Sequence, residues 1–508
     1  MTDQGLDAAV VERLATFERD KIVERIWQHD RTVWTDDPHA PEIVDRLGWL
    51  DLPASMAPQV AGLQTLADDI AGAFDRVVLL GMGGSSLASE VLVRSIGRQR
   101  GFPVFRMLDS THPSAVLDIE QSGDLDRTLF IVASKSGTTL ETMAFFSYFW
   151  ERTGRRGEQF IAITDQATPL EALALERRFR KVLVNPSDIG GRFSALSLFG
   201  LLPAALAGLD TECLRVRAEG MATQCRVAKP ADNPGVALGA WLGEAALRGR
   251  DKLLLNADDP VALFGLWADQ LVAESTGKDG RGILPVTGWT GESPPADHIR
   301  VTVGRDPSRP GEDGIPTQSI ELDDGYDLAA EFFRWEFATA VASAVIGVNP
   351  FDQPDVAASK KKTAAVLEAA VARDDPRPTR KSVIQGFIDD VKPGDYIAVS
   401  AWVPPSAGRD VQLEDLRNIL VERFGVAVTV AYGPRFLHST GQLHKGGPAT
   451  GHFVQLLDPE PEPLQVPGMA YTFGDLIHAQ ALGDYEALTT RGRPVLQLTD
   501  VDYLLETI

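Results

Sequence analysis

The chain has 508 residues, 44% hydrophobic and 24% charged, which is enough for two or three domains with sizeable cores. Its 49 basic and 71 acidic side chains leave a formal charge of −22, a field that repels nucleic-acid backbones and anionic lipid and speaks against both as partners. Cys213 and Cys225 are the only cysteines, too few for a disulfide framework or a zinc cluster and suited to a reducing cytoplasm.

The opening MTDQGLDAAVVERL has no basic stretch followed by an apolar one, so no signal peptide is expected. Residues 1–50 read as an N-terminal helical arm. Short apolar runs then alternate with amphipathic stretches. Strands are predicted at 76–82, 104–109, 128–133, 159–164 and 181–184, with helices at 87–97, 113–121, 141–154 and 169–179. This alternation predicts βαβ units and a parallel sheet covered on both faces. The apolar run 193–208 contains Pro203 and is short for a membrane span, so it reads as a buried helix.

A second α/β region follows. Its predicted strands are 252–255, 300–303, 319–322, 396–401, 427–431, 453–457 and 495–498; its helices are 261–275, 327–346, 354–372, 411–424 and 473–490. The stretch 374–380, DDPRPTR, reads as a linker. The expected division is an arm at 1–50, a first domain at 51–225 and a second at 226–508.

Residues 81–86, GMGGSS, lie between a predicted strand and a helix. Ser86 stands where a dinucleotide fingerprint wants its third glycine, and no P-loop is present, because Gly277-Lys278 is followed by Asp279. Close approach to a ligand and a plain tight turn fit the six residues equally. Residues 134–142, SKSGTTLET, say more: four hydroxyls, a lysine and a glycine precede a helix, which suits an oxyanion. Thr138 and Glu141 also fit a capping box, but a cap needs only one hydroxyl, so phosphate binding is favoured.

GMGGSS followed by SKSGTT resembles the sugar-isomerase domain. Four more segments resemble the phosphoglucose isomerase family: GGRFS at 190–194, Q-x-x-x-E-S-T-G-K at 270–278, GVNPFDQPDVAASK at 347–360 and LHSTGQ at 437–442. The wording LHSTGQLHKGGP looks most like the isomerase half of bacterial transaldolase–isomerase fusions, although the roughly 75 residues before the first motif cannot hold a (β/α)₈ barrel. The resemblance implies two three-layer αβα sandwich domains with mainly parallel sheets, and metal-free, cofactor-free interconversion of glucose 6-phosphate and fructose 6-phosphate by a cytoplasmic homodimer.

By the same resemblance, Ser134, Ser136 and Thr139 would hold the sugar phosphate, with Gly84, Ser85 and Lys135 lining the pocket; Thr138 joins the substrate-binding set as the fourth hydroxyl of the loop. Glu274 would be the base and Arg192 the cation beside the enediol. Gln270, Gln353 and Glu141 would touch substrate, and Lys360 and His438 would open the ring. One feature departs from the family. In the common enzymes the histidine segment precedes the N-x-F-D-Q segment; here it follows Lys360, and His444 is the fallback.

The chemistry asks for these residue types. A carboxylate can shuttle a proton between adjacent carbons, and a fixed guanidinium stabilises the enediolate. The helix dipole disfavours a negative charge at a helix C-terminus, which favours a functional reason for Glu274. The spacing S-x-x-K at 275–278 lacks the other serine-hydrolase motifs and reads as chance, and no histidine pair has metal-ligand spacing. Two rival readings are an isomerase that also accepts mannose 6-phosphate and a sugar-phosphate-binding regulator without turnover. A pure binder has no need of Glu274, Arg192, Lys360 and His438 together.

Overall fold

The computed structural model describes residues 3–37, 39–40, 42–259, 261–291, 293–307, 314–368 and 380–508. Five strands build the first sheet: β1 (Arg76–Gly81), β2 (Val104–Leu108), β3 (Thr128–Ala133), β4 (Phe160–Asp165) and β5 (Lys181–Asn185). All run parallel in the order β2-β1-β3-β4-β5. The inner strands β1, β3 and β4 are buried along their whole length, as unbroken apolar runs in a doubly covered sheet should be. Val77, Leu79, Leu129, Ile131 and Ile163 point to one core, and Val78, Leu80, Phe130, Val132 and Ala162 to another, which is the period-2 alternation of a strand.

The segment 252–498, read from the sequence as one α/β region, carries two separately bonded parallel sheets. The first joins β6 (Lys252–Ala257), β7 (Leu284–Thr287), β8 (His298–Gly304) and β9 (Thr317–Glu321) in the order β7-β6-β8-β9. The second joins β10 (Tyr396–Trp402), β11 (Ala427–Tyr432), β12 (Gly451–Leu457) and β13 (Val495–Leu498) in the order β11-β10-β12-β13. β7 escaped the sequence reading because it has four residues and contains Pro285; it is an edge strand, where a missing N–H is tolerated.

One core joins the N-terminal helices, the first sheet and the β6–β9 sheet. It runs from Leu6 through Trp49, Leu79 and Trp267 to Phe351. Within it, helices Pro234–Leu247 and Leu328–Ile346 meet at glycines: a Cβ on Gly239 would lie 2.4 Å from the Ala338 carbonyl oxygen. The helix Leu198–Leu206 is buried throughout, and among the described residues no helix is long and apolar enough to cross a membrane. The predicted linker 374–380, save Arg380, and the end of the predicted helix 354–372 lie outside the described residues; the described helix is Pro354–Glu368.

The β10–β13 sheet is tied to the first through helix Phe473–Thr490, where Phe473 stacks on Phe145 at 6.1 Å. The same helix carries Asp484, which accepts from Lys445 Nζ at 2.6 Å with both side chains at most 2% exposed, and from Gln455 Nε2 at 2.9 Å. Removing one member of a buried ion pair leaves the other charge uncompensated. Lys445→Met is expected to lower stability by about 3–5 kcal/mol in urea denaturation. A loss below about 1 kcal/mol would show that this pair does not anchor the segment.

Candidate active site

Chain order in the first sheet reverses around β1 and β3, so the loops leaving their C-terminal ends flank the crevice where open parallel sheets hold ligands. The β1 loop is filled by protein. Gly83 has φ +53°, and a Cβ there would sit 2.7 Å from Gln270 Nε2 and 2.8 Å from the His438 carbonyl oxygen. A Cβ on Gly84 would sit 1.9 Å from the Gly191 carbonyl oxygen. The glycines therefore make room for three other segments of the site. Gly84 and Ser85 are half-buried.

In the β3 loop the Ser134 and Thr139 hydroxyls lie 2.9 Å apart, and those of Ser136 and Thr138 lie 3.0 Å apart. Gly137, with φ +67°, donates its N–H to Ser134 Oγ at 3.1 Å. The helix Leu140–Arg152 starts from Thr139 without a side-chain cap, so the capping box read from Thr138 and Glu141 does not form. Lys135 pairs with Asp165 and donates to the Ser187 carbonyl at 2.8 Å.

A cavity of about 260 Å³ opens between this loop, helix Pro354–Glu368 and the turn Arg435–His438. Ser136, Thr138, Thr139, Glu141, Lys360, His438 and Gln480 line it. His438 Nε2 donates to Glu141 Oε1 at 2.9 Å. Burial pushes the Glu141 carboxyl upward, but His438, then its own backbone N–H and lastly Lys360 offset this and hold it at about 2. Glu141 is therefore an anion at neutral pH.

Gly83 joins this cavity to a second cluster. Glu274 lies in helix Phe264–Thr276 and is 4% exposed. Gln270, one turn earlier, donates from Nε2 to Glu274 Oε2 at 3.1 Å. Arg192 NH1 lies 3.5 Å from Glu274 Oε1. The guanidinium is fixed from several sides: Nε donates to Ser275 Oγ at 2.8 Å, NH2 to the carbonyls of Pro350 and Asp352, and NH1 reaches Gln353 Oε1 at 3.4 Å. Burial lowers the Arg192 pKa from its ordinary value, yet an arginine remains a cation. Among the described residues no three His, Cys, Asp or Glu side chains converge as a metal-binding group.

Glu274, Arg192, Gln270 and Gln353 thus form one cluster, and Glu141, Lys360, His438 and the loop hydroxyls form the cavity beside it. His444, the fallback, is elsewhere. It lines a larger cavity of about 520 Å³ beside the same turn, packed against Phe453 at 5.1 Å. Burial lowers its pKa well below the ordinary histidine value, and neither ring nitrogen has a hydrogen-bond partner.

Sequence reasoning missed Lys278 and Asp352 as an ion pair (3.0 Å), although both sit inside quoted motifs. It also missed Gln480, which no motif marks. Burial, then repulsion from Arg192, brings Lys278 down to about 7. A lysine depressed in the folded state binds fewer protons than the unfolded chain between about pH 7 and 10.5, so its contribution to stability rises with pH across that window. Lys278→Met is expected to flatten this rise. Thermal unfolding of both proteins from about pH 7 to 10 reads the difference, and parallel curves would overturn it.

The phosphoglucose isomerase family profile matches residues 66–281. Glucose-6-phosphate isomerase of Pediococcus pentosaceus is 28% identical over 394 residues, covering 64% of this chain and 87% of that protein. A glucose-6-phosphate isomerase from Chlamydia trachomatis shares the fold, with a TM-score of 0.61 at 18% identity, over 77% of this chain and 90% of that one. Glucose-6-phosphate isomerase of Rubrobacter xylanophilus is 30% identical over 392 residues, 63% of this chain and 89% of that protein, and on that likeness the chain belongs to the phosphoglucose isomerase family.

Proposed function

We propose that the protein interconverts glucose 6-phosphate and fructose 6-phosphate through a cis-enediolate. The observation that carries this reading is a buried carboxylate, Glu274, set 3.5 Å from a buried guanidinium, Arg192, next to a hydroxyl-lined cavity.

The substrate phosphate sits on the hydroxyls of Ser134, Ser136, Thr138 and Thr139 and on the N-terminus of helix Leu140–Arg152. By the resemblance, Gly84, Ser85 and Lys135 line the pocket, with Lys135 held by Asp165 and the Ser187 carbonyl. Ring opening removes the proton from O1 and adds one to O5 as the C1–O5 bond breaks. His438 and Lys360 serve this step, since both line the cavity and His438 keeps Nδ1 for the sugar while Nε2 faces Glu141. Glu274 then takes the C2 proton and returns it to C1, and the O2 proton passes to O1. Arg192 faces the negative charge that develops on oxygen, and its fixed hydrogen bonds mean that little reorganisation is needed. Gln270 and Gln353 orient Glu274 and Arg192.

The likeness of LHSTGQLHKGGP supports descent from an isomerase of the transaldolase-fused kind. The same resemblance supports a homodimer, although His438 reaches the cavity from its own chain and need not be borrowed. Two free cysteines suit a cytoplasmic protein.

Purified protein in EDTA should produce glucose 6-phosphate from fructose 6-phosphate in an assay coupled to glucose-6-phosphate dehydrogenase. Glu274→Gln should lower kcat by about 10²–10⁴-fold with KM changed by no more than a few-fold. A folded wild type without turnover would overturn the reading, as would a variant with wild-type kcat.

A further inference from the structure

Gln480 lies midway along helix Phe473–Thr490, outside every motif, and is 2% exposed. Its side chain is engaged at both ends. Nε2 donates to Glu141 Oε1 at 2.8 Å, the oxygen that also accepts from His438. Its Oε1 accepts from the Thr111 hydroxyl at 2.6 Å, and Thr111 is fully buried.

The direction of this chain follows from the chemistry. Glu141 is an acceptor only, so a reversed amide would place two acceptor oxygens in contact. Thr111 satisfies the far end with a proton. Each donor therefore points toward Glu141, and Glu141 Oε1 is saturated by two N–H groups. With that oxygen fixed, His438 must present its protonated Nε2 to Glu141 and its lone-pair Nδ1 elsewhere.

We propose that Gln480, oriented by Thr111, is a positioning residue that holds the Glu141 carboxylate against His438 and so selects the imidazole nitrogen that meets the sugar. The inference rests on the isomerase reading given above. Gln480 comes from the helix between β12 and β13, so it also couples the β10–β13 sheet to ring opening on the first sheet. The other titratable or charged groups facing this pair are Lys360 from helix Pro354–Glu368, Tyr471 just before helix Phe473–Thr490, Asp109 after β2, and Arg435 on the histidine's own turn, which pairs with Asp109 and Glu90.

Three variants test it: Gln480→Met, Gln480→Glu and Thr111→Val. Gln480→Met is expected to lower kcat about 10- to 100-fold, with KM for fructose 6-phosphate within about twofold. Its carboxylate, lacking one donor, holds the His438 proton more tightly, so the acid limb of the kcat profile should move to higher pH. Gln480→Glu can donate only while protonated. It should approach wild-type kcat at about pH 6 and lose activity as pH rises, when two carboxylates face each other. Thr111→Val, which leaves the amide intact, should shift the profile in the same direction as Gln480→Met by a smaller amount.

A glutamine that only packs would leave the pH profiles unchanged. Wild-type profiles in all three variants would overturn the proposal, and so would equal loss by Gln480→Met and Gln480→Glu at every pH. Should the Gln480 variants not fold, Thr111→Val decides by its pH profile alone. Failure of the wild type to turn over would instead count against the isomerase reading, so the two failures are distinguishable.

Discussion

At residue 277 the chain has no room for a side chain. A Cβ there would lie 2.4 Å from Leu443 Cα, and the backbone at Gly277, with φ −77°, is one that other residues adopt freely, so the requirement is for space. Around this contact three distant stretches are fastened. Gln442 Nε2 donates to the Gly277 carbonyl at 3.1 Å and to Asp355 at 2.8 Å, while its Oε1 accepts from the Asp355 N–H at 3.0 Å. Gly280 donates its N–H to the Gly446 carbonyl at 2.9 Å. The end of the Glu274 helix, the start of the Lys360 helix and the histidine segment therefore form one unit. Were they to separate, His438 would leave Glu141 and Gly83, and the cavity would lose a wall.

Charge is handled differently in the two halves of the site. The surface carries an excess of acid, so an anionic sugar gains nothing from the global field. Near Glu274 the basic groups are buried and engaged: Arg192 with carbonyls, a serine and a glutamine, and Lys278 with Asp352. Such an arrangement suits charge that appears only during reaction, because the dipoles are already in place. At the β3 loop, Lys135 is neutralised by Asp165, which leaves the Ser136, Thr138 and Thr139 hydroxyls and exposed Lys360 as the polar groups at the cavity. Rotatable donors at an open mouth favour release as well as capture.

The apolar runs of β1, β3 and β4 were legible because strands buried on both faces leave an uninterrupted signature, and their C-terminal loops carried the glycine and hydroxyl motifs with them. The cluster of Glu274, Arg192, Gln270 and Gln353 was legible through motif wording. Periodicity does not report which strands pair, so it could not tell that 252–498 would divide into two sheets. Nor could it see Gln480, a polar residue on the buried side of a helix whose partners are 339 and 369 positions away in the chain. Nor could it see the pairing of Lys135 with Asp165, 30 positions further along the chain.

The histidine segment shows why chain order constrains such a site so little. In parallel sheets every strand ends on the same edge, and whatever follows the strand is delivered there. His438 follows β11 by a few residues, just as Ser134 follows β3 and Gly83 follows β1. A loop from a different sheet can occupy the position provided that its edge faces the same crevice and its segment is anchored. Here the Lys445–Asp484 pair and the Phe473–Phe145 contact supply the anchor, and Gly83 and Gly277 supply the space. What the family chemistry requires is a set of positions around a carboxylate and a phosphate; the order in which the chain visits them is free wherever packing of this kind can close the gap.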